Sequence, residues 1–92
     1  MKIVLNENEY EVIKDYKDAF NKEDITNLYT DYFKDYDYIL GDYAYSKLRL
    51  KGFCNKDNNL FNDINDYDKI DEYINNECAY ECKYFILKKI EK

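Results

Sequence analysis

Tyr36–Phe53 reads YDYILGDYAYSKLRLKGF. Two apolar-rich runs flank a short stretch with turn formers, the pattern of a β-hairpin. Tyr36, Tyr38 and Leu40 alternate onto one face of the first strand, and Leu48 and Leu50 onto one face of the second. Both sets are buried together only if opposed residue numbers sum to an even value. The spacing therefore predicts a five-residue loop, Asp42–Ser46, with Leu40 opposite Leu48 and Tyr38 opposite Leu50. In that register Asp37 faces Lys51 and Ile39 faces Arg49. Lys47, Arg49 and Lys51 form a basic row on the other face, and Tyr43 and Tyr45 stand at the loop tip. Arg49 is the only arginine of the chain.

Upstream, Lys2–Leu5 and Glu9–Lys14 are short strand-like runs joined by Asn6-Glu7-Asn8, a hairpin loop in residues that tolerate left-handed backbone. Asn21 is placed to cap a helix, with Asp24 three residues on. Ile25, Leu28, Tyr29, Tyr32 and Phe33 follow at helical spacing. Downstream, Cys54–Asp63 is rich in Asn and Asp and is expected to be a mobile connection. A second helix is expected over about Asp68–Cys78, with Ile70, Tyr73, Ile74 and Cys78 along one side. Lys83–Ile90 is the last strand. Its run Tyr84, Phe85, Ile86, Leu87 is apolar at both parities, which predicts an interior strand. The order ββαββαβ implies an α+β fold: one domain over residues 1–92, a mainly antiparallel sheet, and two helices packed on one side of it.

Ninety-two residues suffice for one modest core. Aromatics make up 18% of the chain, and they supply large apolar area at low entropic cost. A net charge of −6 repels nucleic acid and anionic lipid at long range. Part of the Tyr and Asn excess follows from A/T-rich codon usage, so a count of tyrosines says little about function. No apolar run approaches the ~20 residues that span a bilayer. The opening residues are too short an apolar run for a secretory signal. With three cysteines, the expectation is a cytosolic protein with reduced thiols and no membrane association.

Absences narrow the chemistry. Histidine is missing, which removes Ser–His and Cys–His nucleophile activation and imidazole metal ligation. Two glycines, Gly41 and Gly52, cannot build a phosphate-cradling loop. Cys54, Cys78 and Cys82 could supply three zinc ligands, but the second close cysteine pair of structural zinc sites is missing. Buried structural cysteine is the expectation, with no metal and no cofactor. Asp15 and Asp18 leave a strand into an aromatic-flanked bend, where Asp commonly bonds its own backbone. The candidate binding residues are Asp37, Asp42, Tyr43, Tyr45, Lys47, Arg49 and Lys51. The row could clamp a phosphate or carboxylate through the Arg49 fork. It could equally be a neutralised surface face, worth ~0–1 kcal/mol per exposed pair.

Three segments carry a family resemblance: YEVIKDYKDAFN (Tyr10–Asn21), YDYILGDYAYSKLRLKGF (Tyr36–Phe53) and EYINNECAYECKYFILKKI (Glu72–Ile90). They resemble the YutD-like family of small bacterial proteins from low-GC Gram-positive lineages and their wall-less relatives. The chain departs from that pattern at Tyr43-Ala44, where the family often has Trp-Gly. The resemblance implies a cytosolic single-domain α+β protein and places Asp37, Gly41, Asp42, Arg49, Lys51 and Gly52 within the family signature. It carries over no catalytic residue.

Three function classes follow. The leading one is a non-enzymatic protein-interaction or regulatory module with a protein partner, itself a monomer or weak dimer. The alternative is a nucleic-acid-linked role, through RNA contacts on the basic hairpin face or through acidic mimicry of a phosphate backbone. The third, an enzyme without histidine, requires a deep pocket gathering Asp37 or Asp42 with Arg49 or Lys51.

Overall fold

Two pairs of left-handed residues set the hairpins. Asn6 (φ 48°) and Glu7 (φ 70°) turn β1 (Lys2–Leu5) into β2 (Asn8–Tyr16). Tyr45 (φ 52°) and Ser46 (φ 65°) turn β3 (Tyr38–Ala44) into β4 (Lys47–Phe53). Successive positive φ values give the primed turn whose twist matches the flanking strands. The structure, a computed structural model, describes residues 1–77 and 82–90.

The outer loop thus holds two residues rather than the five expected, and the register moves with it. Tyr38 opposes Phe53, Leu40 opposes Lys51, Asp42 opposes Arg49 and Ala44 opposes Lys47. These numbers sum to odd values, so the even-sum register is wrong. The physical reason is that the sheet has no single buried face. Tyr38, Ile39 and Leu40 are all buried, so either parity puts apolar side chains into a core.

The sheet has five strands in the order β1-β2-β5-β3-β4, and every pairing is antiparallel. β5 (Tyr84–Lys89) lies inside it, as its two-sided apolar run predicts. One face carries Ile3, Leu5, Tyr10, Ile39, Phe85 and Leu87 beneath Ile25 of α1 (Lys22–Leu28). The other carries Tyr38, Leu40, Phe53 and Ile86 beneath Ile70 of α2 (Ile70–Glu77). Neighbouring residues of β3 and β5 point to opposite faces, so the two helices flank the sheet. They do not share one side as expected. No helix of the described residues is long and apolar enough to cross a membrane.

Asn21 caps α1 as its position predicts, its side-chain oxygen accepting from the Asp24 amide at 3.0 Å. The apolar stripe does not continue as one helix. Backbone at Tyr29 turns extended (ψ 136°), and Asp31–Phe33 forms a separate 3-10 turn. Tyr29 instead packs edge-on against Tyr10, with hydroxyl oxygens 2.9 Å apart and ring centroids at 5.9 Å. Burial, reinforced by the Tyr29 hydroxyl, pushes the Tyr10 hydroxyl pKa well above the usual tyrosine range.

The Asn/Asp-rich connection is pinned by its own side chains. Asn58 donates to the Asp37 carboxylate and the Asp35 carbonyl, and Asn65 donates to the Leu60 carbonyl. Asn65 and Asp66 are buried. Asp66 then accepts from the Asp68 amide at 2.9 Å and opens a 3-10 turn, Tyr67–Lys69, that runs into α2. Cys78, the expected end of this helix, lies outside the described residues.

Both glycines mark close approaches. A Cβ at Gly41 would stand 2.2 Å from the Phe85 ring, and one at Gly52 would stand 2.4 Å from the Tyr36 ring. Neither has a positive φ. The requirement is space, and Phe85 and Tyr36 fill it on the α1 face.

Candidate functional site

The observed register keeps Lys47, Arg49 and Lys51 on one face of β4 but gives them new neighbours. That face is the α2 side, shared with Leu40, Asp42 and Ala44 of β3. Asp42 and Arg49 stand directly across from each other and form a forked pair. Nε of Arg49 donates to Oδ1 at 3.2 Å and Nη2 donates to Oδ2 at 2.6 Å. The Asp42 side chain is only 7% exposed, whereas Arg49 keeps 49%. The carboxylate is therefore an inner group held by an arginine reaching in from the rim. The Asp42 hydrogen bond raises the Arg49 pKa against the opposing effect of burial. Arg49 Nη2 also reaches the Glu77 carbonyl at 3.4 Å, tying β4 to the last described residue of α2.

Lys51 is committed differently. Its Nζ lies 5.3 Å from the Phe53 ring centroid and 5.4 Å from that of Tyr73. The two rings meet edge-to-face at 5.5 Å. Burial raises the Tyr73 hydroxyl pKa, the Asp42 charge adds to it, and Arg49 opposes it. Lys51, Phe53 and Tyr73 border a groove of about 360 Å³ whose carboxylates are Asp63, Asp66, Glu72 and Glu77. Ile64 on its wall is 75% exposed. Lys47, next to the turn, is exposed.

Other expected members fall elsewhere. Asp37 precedes β3 and accepts from the Asn55 amide at 2.8 Å and from Asn58 Nδ2 at 3.1 Å. It anchors the following connection and does not face Lys51. Tyr43 is not at the loop tip. It lies in β3 on the α1 face, donates to Asp24 at 2.7 Å, and carries Lys83 over its ring at 4.6 Å. Only Tyr45 occupies the tip, fully exposed. Asp15 does accept from the backbone, from the Phe20 amide at 3.0 Å.

The cysteines separate. Cys54 is a fully buried free thiol whose pKa burial pushes up. Its backbone bridges to Asp66. Cys82 is disulfide-bonded, contrary to the expectation of reduced thiols throughout. Among the described residues, no three His, Cys, Asp or Glu side chains gather with metal-site geometry.

The sequence shows Asp24 only as part of a helix start, and does not reveal its bond to Tyr43 or the fastening roles of Asn58 and Asn65. Asn and Asp at turn positions were visible, but the sequence does not say which of them bond across the fold.

Three comparisons bear on identity. A family model described as "Putative antitoxin YutD-like" matches residues 4–88. A Bacillus subtilis (strain 168) protein named "Putative antitoxin YutD" is 40% identical over 90 residues, covering 98% of this chain and 99% of its own. The solution NMR structure of protein yutD from B. subtilis superposes with a TM-score of 0.83 at 39% identity, over 100% of this chain and 84% of that one. The Tyr36–Phe53 hairpin, the sheet order and the full-length likeness agree: this chain belongs to the YutD-like family.

Proposed function

We propose that this protein is a non-enzymatic, cytosolic module that works by holding a partner protein. Likeness over 98% of the chain to a protein named "Putative antitoxin YutD" carries the reading, because a protein antitoxin acts by occupying another protein. The hairpin supports it physically. β4 is an outer strand that begins at an exposed aromatic tip, Tyr45, and tyrosine and arginine are favoured interface anchors. An RNA-binding role draws less support, since the Arg49 fork is spent on Asp42 and the overall charge opposes it.

Crosslinking in living cells with the tagged full chain, read by mass spectrometry, tests this. The expected outcome is one protein recovered in near-equal amount with the bait and insensitive to nuclease. Recovery of RNA alone, or of no protein above background, would sink the proposal.

A further inference from the structure

We infer that the outer edge of β4 receives a strand from the partner protein, an extended segment in which acidic side chains alternate with apolar ones. This rests on the protein-binding reading above and specifies how the partner is held.

The first argument is the direction of the peptide groups. Ala44 and Lys47 flank a two-residue turn, so they are a hydrogen-bonded pair, and pairs alternate along an antiparallel ladder. Arg49 and Lys51 then bond inward to β3. The Tyr43 amide, at the next position, turns away from β4 and donates to the Lys83 carbonyl at 3.3 Å, as that alternation requires. The N–H and C=O groups of Leu48 and Leu50 therefore point out of the sheet. Among the described residues, no group bonds to them. An open edge of this kind is a template for another strand.

The chain itself already uses this edge one step further on. Cys54 donates to the Asn65 carbonyl at 2.8 Å and accepts from the Tyr67 amide at 3.0 Å, a parallel bridge with Asp66. The pairing stops there, and Gly52 is buried next to Tyr36. Among the described residues, 47–51 remain as the open stretch.

Side chains decide what kind of strand fits. On the α1 face, a hollow of about 270 Å³ beside Leu48 is walled by Leu28 and Tyr43 together with the polar Asp24, Asn27 and Ser46. A second, about 250 Å³, lies beside Leu50 among Tyr32, Phe33 and Tyr36, and Asn62 and Ile64 of the connection close its far side. On the α2 face the added strand meets Lys47 and Lys51, with the Asp42-paired Arg49 between them. Alternate residues of the incoming strand thus face the two hollows and the two lysines, which calls for apolar and acidic side chains in turn. A second copy fits poorly. Pairing β4 with β4 would set two basic rows together on two bodies of net charge −6.

The test uses the isotopically labelled full chain and a soluble, end-capped peptide alternating valine with glutamate. The expected result is protection of the Leu48 and Leu50 amides from hydrogen exchange, by about tenfold at roughly 1 mM peptide, with β1 amides unchanged. Substituting Lys47→Glu together with Lys51→Glu, which spares the Asp42–Arg49 pair, should weaken binding about tenfold. Exchanging glutamate for lysine in the peptide should abolish it. No protection of these amides, equal protection of β1, or indifference to charge reversal would overturn the inference. The same double variant separates this from the broader reading. If crosslinking still recovers the partner undiminished, strand addition at β4 is wrong and protein binding stands. If crosslinking recovers no protein from the unaltered chain, protein binding is wrong.

Discussion

On the α1 face Tyr10, Ile25, Ile39, Phe85 and Leu87 have no exposure at all, with Ile3 and Tyr29 at 5–7%; on the α2 face Phe53 and Leu40 keep 1–2%, and Tyr38, Ile70 and Ile86 keep 6–8%. The α2 face also interleaves charge with its core, through Asp42, Arg49 and Lys51, and leaves a groove of about 360 Å³ beside β4. The contrast assigns different work to the two layers. The α1 face closes around edge-to-face aromatics, Tyr10 on Tyr29 and Phe20 on Phe85, and is expected to contribute the larger share of the stability. The α2 face threads charge through its core, and Arg49 reaches the Glu77 carbonyl to tie β4 to α2.

The sharpest way to break this comparison is a matched pair of truncations. Ile25→Ala should cost about 4 kcal/mol, because a fully buried side chain leaves a cavity in a closed layer. Ile70→Ala, on the other face, should cost about 2 kcal/mol, since a partly open layer can settle into the gap. Urea unfolding of both variants checks this. Equal losses would show that the faces are equivalent in packing, and the assignment of stability to the α1 face would fail.

Gly41→Ala sharpens the same contrast from the opposite direction. The added methyl would meet the Phe85 ring at 2.2 Å, and that ring is fully buried. Overpacking of this kind costs about 3 kcal/mol. A loss under about 1 kcal/mol would mean that the ring moves freely and that the α1 face is looser than its burial suggests.

How far the sequence revealed these layers depended on whether one face of a strand was exposed. β5 was legible as an interior strand because Tyr84–Leu87 is apolar at both parities. The same two-sided signal is present in β3, in Tyr38-Ile39-Leu40, whereas an even-sum register takes the Tyr36–Phe53 hairpin as buried on one face. That choice misplaced the turn, put Asp37 opposite Lys51, and hid the Asp42–Arg49 pair. It also placed both helices on one side. The basic row survived the error because Lys47, Arg49 and Lys51 share a parity whatever lies opposite. The cap at Asn21 was local chemistry and was readable. The pinning of the connection by Asn58 and Asn65 depends on partners brought together only by the fold.

Tyr43 gives the α1 face a measurable pH dependence. Burial, and then the hydrogen bond to Asp24, push its hydroxyl up to about 12 from the ordinary 10.0. A pKa raised in the folded state favours the protonated form there. Its stabilising effect is complete below about pH 10, the unfolded value, and is lost as pH rises toward about 12. Tyr43→Phe should cost about 1 kcal/mol at neutral pH through the lost hydrogen bond. Its stability should fall less steeply than that of the parent between about pH 10 and 12. An unchanged alkaline slope would show that neither burial nor the Asp24 hydrogen bond raises this hydroxyl in solution.

The smallest expected effect lies at the tip, outside both layers. Tyr45 and Ser46 hold φ of 52° and 65°, where non-glycine residues other than Asn and Asp are strained. Tyr45 is fully exposed, so no packing offsets that strain. Replacing the pair by Tyr45→Asn and Ser46→Gly should stabilise the hairpin by about 0.5–1 kcal/mol, read as a rise in thermal midpoint. Gain of stability with loss of partner recovery in crosslinking would mean that the strained tyrosine is held at the tip for contact. Gain of stability with recovery intact would mean that the turn only sets the register, leaving the β4 edge to make the contact.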